Sequence, residues 1–263
     1  MFEVRNESEQ AEILLYDYIG EDTDFWTGEK RGISAQSFKE ALDEVSPKPV
    51  TLRIDSSGGD VFDAFAMCSA IQRYPGRVTA CIDGLAASAA SYIAVVCDKV
   101  VMNDYAYLMI HCASSFAFGN AQELGDVAAR LDNIDKNLAA IYEKRSNLTL
   151  EQVLDYMRNE TWFTAAEALD CGLATEVVET EERMAACIEP KMAARYTHVP
   201  EAVALKVEDK AGKAPAMRVD TAVAVIGTGE GESHAESNMQ AEAVNEAAYV
   251  LLDGRIYRKG AEE

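Results

Sequence analysis

From residue 11 to about residue 180, short apolar runs closed by turn residues alternate with stretches whose apolar positions recur every three or four residues. The first pattern suits strands and the second suits amphipathic helices. The run "AEILLYDYI" (11–19) predicts a strand, and "SAQSFKEALDEV" (34–45) a helix with Ser34 as its N-cap. "VTLRID" (50–55) predicts a strand, "SSGGD" (56–60) a tight loop and "VFDAFAMCSAIQRY" (61–74) a helix. "RVTACID" (77–83) reads as a strand, "GLAAS" (84–88) as a loop and "AASYIAVVC" (89–97) as a helix. "KVVMN" (99–103) and "YAYLMIH" (105–111) are strands on either side of a turn at Asn103-Asp104. A long helix follows over 121–146, and a shorter one, capped by Thr149, over 150–159. The last helix opens on a capping box from Thr164 to Glu167 and stops at Gly172. Repeated strand–loop–helix units call for parallel strands with right-handed crossovers, the α/β class.

After residue 182 the pattern fades into segments such as "GTGEGESHAESNMQAEA", rich in Gly, Ala, Glu and Ser. Such sequence buries too little apolar area to offset the entropy of ordering it. The expected division is a folded catalytic unit over 1–182 and a largely flexible acidic, Ala-rich tail over 183–263. A short hairpin near 248–258, turning at Asp253-Gly254, is expected within the tail.

Composition narrows the partners. The chain has 263 residues, 49% of them hydrophobic, and a formal net charge of −21. That acidity disfavours nucleic acid and anionic membrane, both of which need Lys and Arg. No apolar run approaches a membrane span, and the polar start "MFEVRNESEQAE" is no signal peptide. A soluble cytoplasmic protein is expected. The six cysteines form no CxxC pair and sit mostly in apolar runs, so they read as small buried hydrophobes. With three histidines in all, no metal site and no cofactor are expected.

Two strand-to-helix loops stand out for chemistry. In parallel α/β folds such loops lie where ligands bind. In "RIDSSGGD" (53–60), Gly58 and Gly59 leave amide groups unshielded by side chains. In "DGLAASAA" (83–90), Ser88 begins a helix straight after a strand, where main-chain N–H groups lack helical partners. An oxyanion beside Ser88 would meet the N–H of Ala89 and a glycine N–H from the first loop, as acyl transfer requires. A serine hydroxyl needs a base, and His111, ending the strand "YAYLMIH", is the candidate. An acid must then hold the imidazole, and pattern alone does not choose among the many carboxylates. Taken singly, each residue has a plainer role: Ser88 as a cap, Ser91 as packing, the glycine pair as a turn, His111 as a strand end. Their joint occurrence at the ends of adjacent strands favours chemistry.

The motifs "RIDSSGGDV", "GLAASAAS", "LMIH" and "ETWFTAAEALDCGLA" together resemble the Clp protease proteolytic subunit family, and most of all its phage-encoded head-maturation relatives. The resemblance spans roughly residues 11–180. It implies a crotonase-like spiral of βαβ units with a long protruding helix, and a serine endopeptidase without cofactor. It implies Ser88 as nucleophile, His111 as general base, and Gly58 and Ala89 as oxyanion-hole donors. The family's acid falls in register on Glu160, where Asp is usual, with Asp155 on the preceding helix as a fallback. Extended substrate would add as a strand along Ser114, Ser115 and Phe116, beside Gly59.

The resemblance also implies homo-oligomers, heptameric rings single or stacked, interlocked through the long helix with its apolar positions Leu124, Val127, Leu131, Ile134, Leu138 and Ile141. Peptide or protein substrates are the expected partners, with capsid or scaffold proteins among them. The extension that forms an axial gate in bacterial members is nearly absent from the pattern, which counts against an unfoldase ATPase. Two alternatives stay open: a catalytically silent scaffold of the same fold, and a crotonase-type acyl-CoA enzyme.

Overall fold

The computed structural model describes residues 2–23, 30–179, 195–200 and 203, and the backbone of 249–252 and 255–258. The chain divides into two units, Met1–Val207 and Glu208–Glu263. The first unit opens with β1 (Phe2–Asn6), β2 (Ala11–Leu15), the two-residue strands β3 (Asp22–Thr23) and β4 (Lys30–Arg31), and α1 (Ala35–Val45). Next come β5 (Val50–Ser56), α2 (Val61–Arg73), β6 (Val78–Ala87), α3 (Ala89–Val95), β7 (Lys99–Asn103) and β8 (Tyr107–Ile110). The long α4 (Ala121–Arg145), α5 (Leu150–Arg158), β9 (Thr161–Thr164), α6 (Ala165–Asp170) and β10 (Glu176–Val178) complete it.

The main sheet runs β1-β2-β5-β6-β7-β10, with β8 attached to β6 and β9 to β8. The strands β2, β5, β6, β7 and β10 are mutually parallel, as the alternation of strands and helices requires. Helices α1, α2 and α3 bring Phe38, Leu42, Met67, Ile71 and Ile93 onto the inward residues Ile13, Leu52, Ile54, Ala80 and Ile82. The helix starts follow from local chemistry. Ser34 accepts from the N–H of Ser37, Asp60 from those of Phe62 and Asp63, and Thr149 and Thr164 close capping boxes with Gln152 and Glu167.

The structure departs from the sequence expectation around "GLAA". Instead of a loop, those residues extend β6 to Ala87. The first half of β6 pairs with β7, Thr79 to Lys99 through Ile82 to Met102, and its second half pairs with β8, Leu85 to Tyr107 through Ala87 to Met109. Strands β7 and β8 therefore fork from one partner instead of forming a hairpin. Tertiary pairing overrides the local glycine signal here. Five strands of the first unit also lack a strong sequence mark: β1, where only Phe2 and Val4 turn toward the core, the two-residue β3 and β4, and the short β9 and β10.

The opposite face of the sheet carries a half-buried charge cluster centred on Asp83. Arg53 on β5 donates from Nε to Asp83 on β6 at 2.8 Å and from its terminal nitrogen to the same carboxylate, while Tyr16 also donates to Asp83. Asp83 is 1% exposed and ties β2, β5 and β6 together. Asp83→Ala leaves the guanidinium short of its partner, so it is expected to lower unfolding free energy by about 2 kcal/mol, read as a shift in urea midpoint.

Residues 195–200 and 203, which lie beyond the expected boundary at 182, belong to the first unit and pack onto its sheet. Apolar Tyr196, Val199 and Val203 explain this, since they cover Leu85, Ala87 and Met109 on β6 and β8. In the second unit, β11 (Tyr249–Leu252) and β12 (Arg255–Arg258) pair antiparallel, from Tyr249 opposite Arg258 to Leu252 opposite Arg255. The turn residues 253–254, Cys187 and most of the 183–263 segment lie outside the described residues. Among the described residues no helix is long and apolar enough to cross a membrane.

Candidate active site

The forked sheet brings together residues far apart in sequence. Because Ala87 is in register with Met109, the residue after each strand lies beside the other strand's end. Ser88 donates its N–H to the carbonyl of Met109 at 2.9 Å. Its Oγ lies 2.8 Å from Nε2 of His111, which follows β8 after a separation of 23 residues. Ser88 adopts φ 52° and ψ −122°, a conformation few non-glycine residues take. This sharp turn between β6 and α3 aims the hydroxyl outward instead of leaving it as a cap: the side chain makes no capping bond to α3. Ser91 is fully buried, donates to the carbonyl of Ser88 at 2.7 Å and meets the Tyr142 hydroxyl at 2.7 Å. It fastens the Ser88 turn to α4.

Burial pushes the His111 imidazole below its usual pKa, while the carboxylates of Glu160 and Asp135 pull it up. The ring is thus biased toward the neutral form that accepts a proton.

The glycine loop presses directly on the Ser88 turn. A Cβ on Gly58, at φ 90°, would lie 2.6 Å from the carbonyl oxygen of Ala87 and 2.9 Å from the nitrogen of Ala89. The N–H groups of Gly58 and Ala89 therefore share one neighbourhood, although that of Gly58 donates to Ser56 Oγ at 3.1 Å. Gly59 packs against the main chain of Ile19, where a Cβ would come within 2.0 Å of its carbonyl oxygen.

Glu160 is 9% exposed, with φ 45°, and lies near the imidazole without hydrogen-bonding to it. Its Oε2 accepts from the N–H of Thr197 at 2.8 Å, and its Oε1 from the N–H of His198 at 2.6 Å and from Trp162 Nε1 at 3.3 Å. Asp155 is exposed on α5. Sequence reasoning missed Asp135 and Tyr196. Asp135, an acid within the apolar stripe of α4, accepts from the N–H of Ala113 at 2.7 Å and so pins the chain just beyond His111. The Tyr196 ring stands edge-on to the imidazole with centroids 5.6 Å apart. In the sequence it is marked only as the single Phe, Tyr or Trp between Phe163 and Tyr249.

A cavity of about 520 Å³ opens on these groups, lined by Ser88, Ala89, His111, Gly59, Ser114 and Ser115 among others. Between Ala113 and Asn120 the chain forms neither helix nor strand. Among the described residues its Ser114–Gly119 stretch makes no main-chain-to-main-chain hydrogen bond. Phe116, 66% exposed, stacks edge-on with Phe118 instead of entering the core.

Comparison with known families settles the lineage. The family described as Clp protease matches residues 35–181, more than half of the chain. The chain belongs to the Clp protease family. Among relatives, it is 28% identical over 141 residues to the ATP-dependent Clp protease proteolytic subunit 1 of Protochlamydia amoebophila, covering 52% of this chain and 68% of the relative. It is 29% identical over 140 residues to the ATP-dependent Clp protease proteolytic subunit of Bacteroides fragilis, again 52% and 68% of the two chains. Among solved structures, a ClpP1 mutant from Listeria monocytogenes superposes with a TM-score of 0.54 at 20% identity, covering 65% of this chain and 92% of that one. The fold is that of the Clp proteases, the crotonase-like α/β spiral, and the matched span holds Ser88, His111 and Glu160 alike.

Proposed function

We propose that the protein is a serine endopeptidase that works as a self-compartmentalised ring. The observation that carries this is the 2.8 Å approach of Ser88 Oγ to His111 Nε2 on an open cavity. His111 takes the hydroxyl proton as Ser88 attacks the peptide carbonyl. The amides of Ala89 and Gly58 stabilise the oxyanion, with Gly58 turning its N–H from Ser56 to the substrate. His111 then gives its proton to the leaving amine, and water hydrolyses the acyl-enzyme. Glu160 is the acid best placed to steady the imidazolium, and the unpaired Ser114–Gly119 stretch supports extended substrate adding there as a strand. The head-maturation resemblance points to capsid or scaffold proteins as substrates.

A silent scaffold is the competing possibility, favoured by the commitment of the Glu160 carboxylate to groups other than His111. The test is a fluorophosphonate probe with peptide mapping, beside native mass measurement. Label on Ser88 and a mass of seven or fourteen 28.7 kDa chains are expected. An unlabelled protein would point to the scaffold, and a monomer mass would remove the ring.

Because burial lowers the pKa of His111, kcat/KM is expected to rise with pH through an apparent value below 6.5 and level off by neutrality. The folded state then binds this proton less well than the unfolded chain. His111 therefore contributes a loss of stability as pH drops below about 6.5, seen as a lower urea midpoint at pH 5.5 than at pH 7.5 that His111→Gln reduces.

A further inference from the structure

The residues beyond the matched family span hold onto the site itself. Tyr196 donates its hydroxyl to the carbonyl of Ser57, next to Gly58. Its ring lies edge-on to His111 and, at 5.7 Å, to Trp162. The next two main-chain N–H groups, of Thr197 and His198, go to the two oxygens of Glu160. The Arg195 guanidinium stands 5.6 Å from the Tyr18 ring centroid, and Val203 is fully buried against Leu85, Ala87 and Met109. One short segment thus touches the oxyanion loop, the base and the acid together, and Arg195 and Tyr196 line the same cavity as Ser88.

We propose that Ser57, His111, Glu160 and Trp162 form a peptide-binding subsite, filled in cis by residues 195–200, whose ligand is an aromatic side chain followed by two free main-chain N–H groups. This rests on the peptidase reading for its consequence but not for its existence. An extended peptide supplies these groups, and a proline in either of the two positions after the aromatic residue removes one of the required donors. While the chain's own segment is bound, Glu160 is engaged with Thr197 and His198 rather than with His111, and substrate must displace it. Release frees the carboxylate to turn toward Nδ1 of the imidazole. The segment is therefore an internal competitor, and the apparent reactivity of Ser88 scales with the fraction of molecules in which it is undocked.

The test uses the full chain and its Tyr196→Ala variant, with two readouts. The first is hydrogen exchange of a peptide covering 195–200. Protection in the parent protein that Tyr196→Ala abolishes supports the subsite, and absence of protection in the parent overturns it, whatever the activity. The second is the rate of fluorophosphonate labelling at Ser88. Tyr196→Ala is expected to raise it about tenfold, the ratio for a segment docked nine-tenths of the time. The synthetic peptide acetyl-Arg-Tyr-Thr-His-Val-Pro-amide should slow it again, and the same peptide with Ala for Tyr should not. Equal or slower labelling of the variant overturns the competition. Labelling of neither protein sinks the peptidase reading and the competition with it, while exchange still decides whether the segment docks.

Discussion

Ser88→Ala is expected to remove peptide hydrolysis and fluorophosphonate labelling together, lowering kcat by roughly 10⁴- to 10⁶-fold. The size follows from the loss of a covalent step: the oxyanion amides and the substrate groove remain, but they stabilise a tetrahedral adduct that no longer has a nucleophile to form it. The fold should be unaffected. Alanine keeps the Cβ, so it meets the φ of 52° with the same strain as serine, and among the described residues the hydroxyl's only hydrogen bond is to His111. One such bond contributes about 1 kcal/mol. A native mass and a urea midpoint close to the parent's, with hydrolysis gone, is the expected pair of results. Hydrolysis at the parent rate would place the nucleophile elsewhere.

The sequence made the catalytic pair readable because both residues end regular elements. Ser88 stands at a strand-to-helix junction and His111 closes an apolar run, so pattern and turn chemistry find them without knowledge of the sheet order. What pattern could not supply was the fork of β6. Glycine and alanines read locally as a loop, yet their small side chains let β8 and α3 lie close on either side, and the long-range pairing of Leu85–Ala87 with Tyr107–Met109 decides the outcome. That fork, more than any motif, sets Ser88 beside His111.

The acid was harder for a related reason. Register places Glu160 next to β9, but a carboxylate's partner is fixed by whichever donors reach it, and here these come from residues 197 and 198, in a segment whose composition suggested flexibility. Three apolar residues at 196, 199 and 203 are too few to register as a periodic element, though enough to cover Leu85, Ala87 and Met109 on β6 and β8. Asp135 was masked in the same way, as one acid among many on a long amphipathic helix, and its burial, its bond to Ala113 and its pull on His111 distinguish it.

Gly58→Ala is the second large effect, and it tests geometry where Ser88→Ala tests chemistry. The new methyl would sit 2.6 Å from the Ala87 carbonyl oxygen, 2.8 Å from Ser88 Cβ and 2.9 Å from the Ala89 nitrogen, all nearer than atoms settle without moving. Two of those neighbours are main chain, so relief requires the glycine loop and the β6–α3 turn to part. The φ of 90° adds strain for any side chain. Parting them spreads the two amides proposed to hold the oxyanion and draws Ser88 from His111. The expected result is a fall in kcat/KM of about 10²- to 10³-fold, the scale for losing one oxyanion donor, together with about 2 kcal/mol of stability. Gly125→Ala on α4 is the matched control: its Cβ meets nothing within 4 Å, so the helix should gain up to about 1 kcal/mol with hydrolysis unchanged. If Gly58→Ala hydrolysed peptides as fast as the Gly125 variant, the oxyanion hole could not lie between the glycine loop and the turn at Ser88.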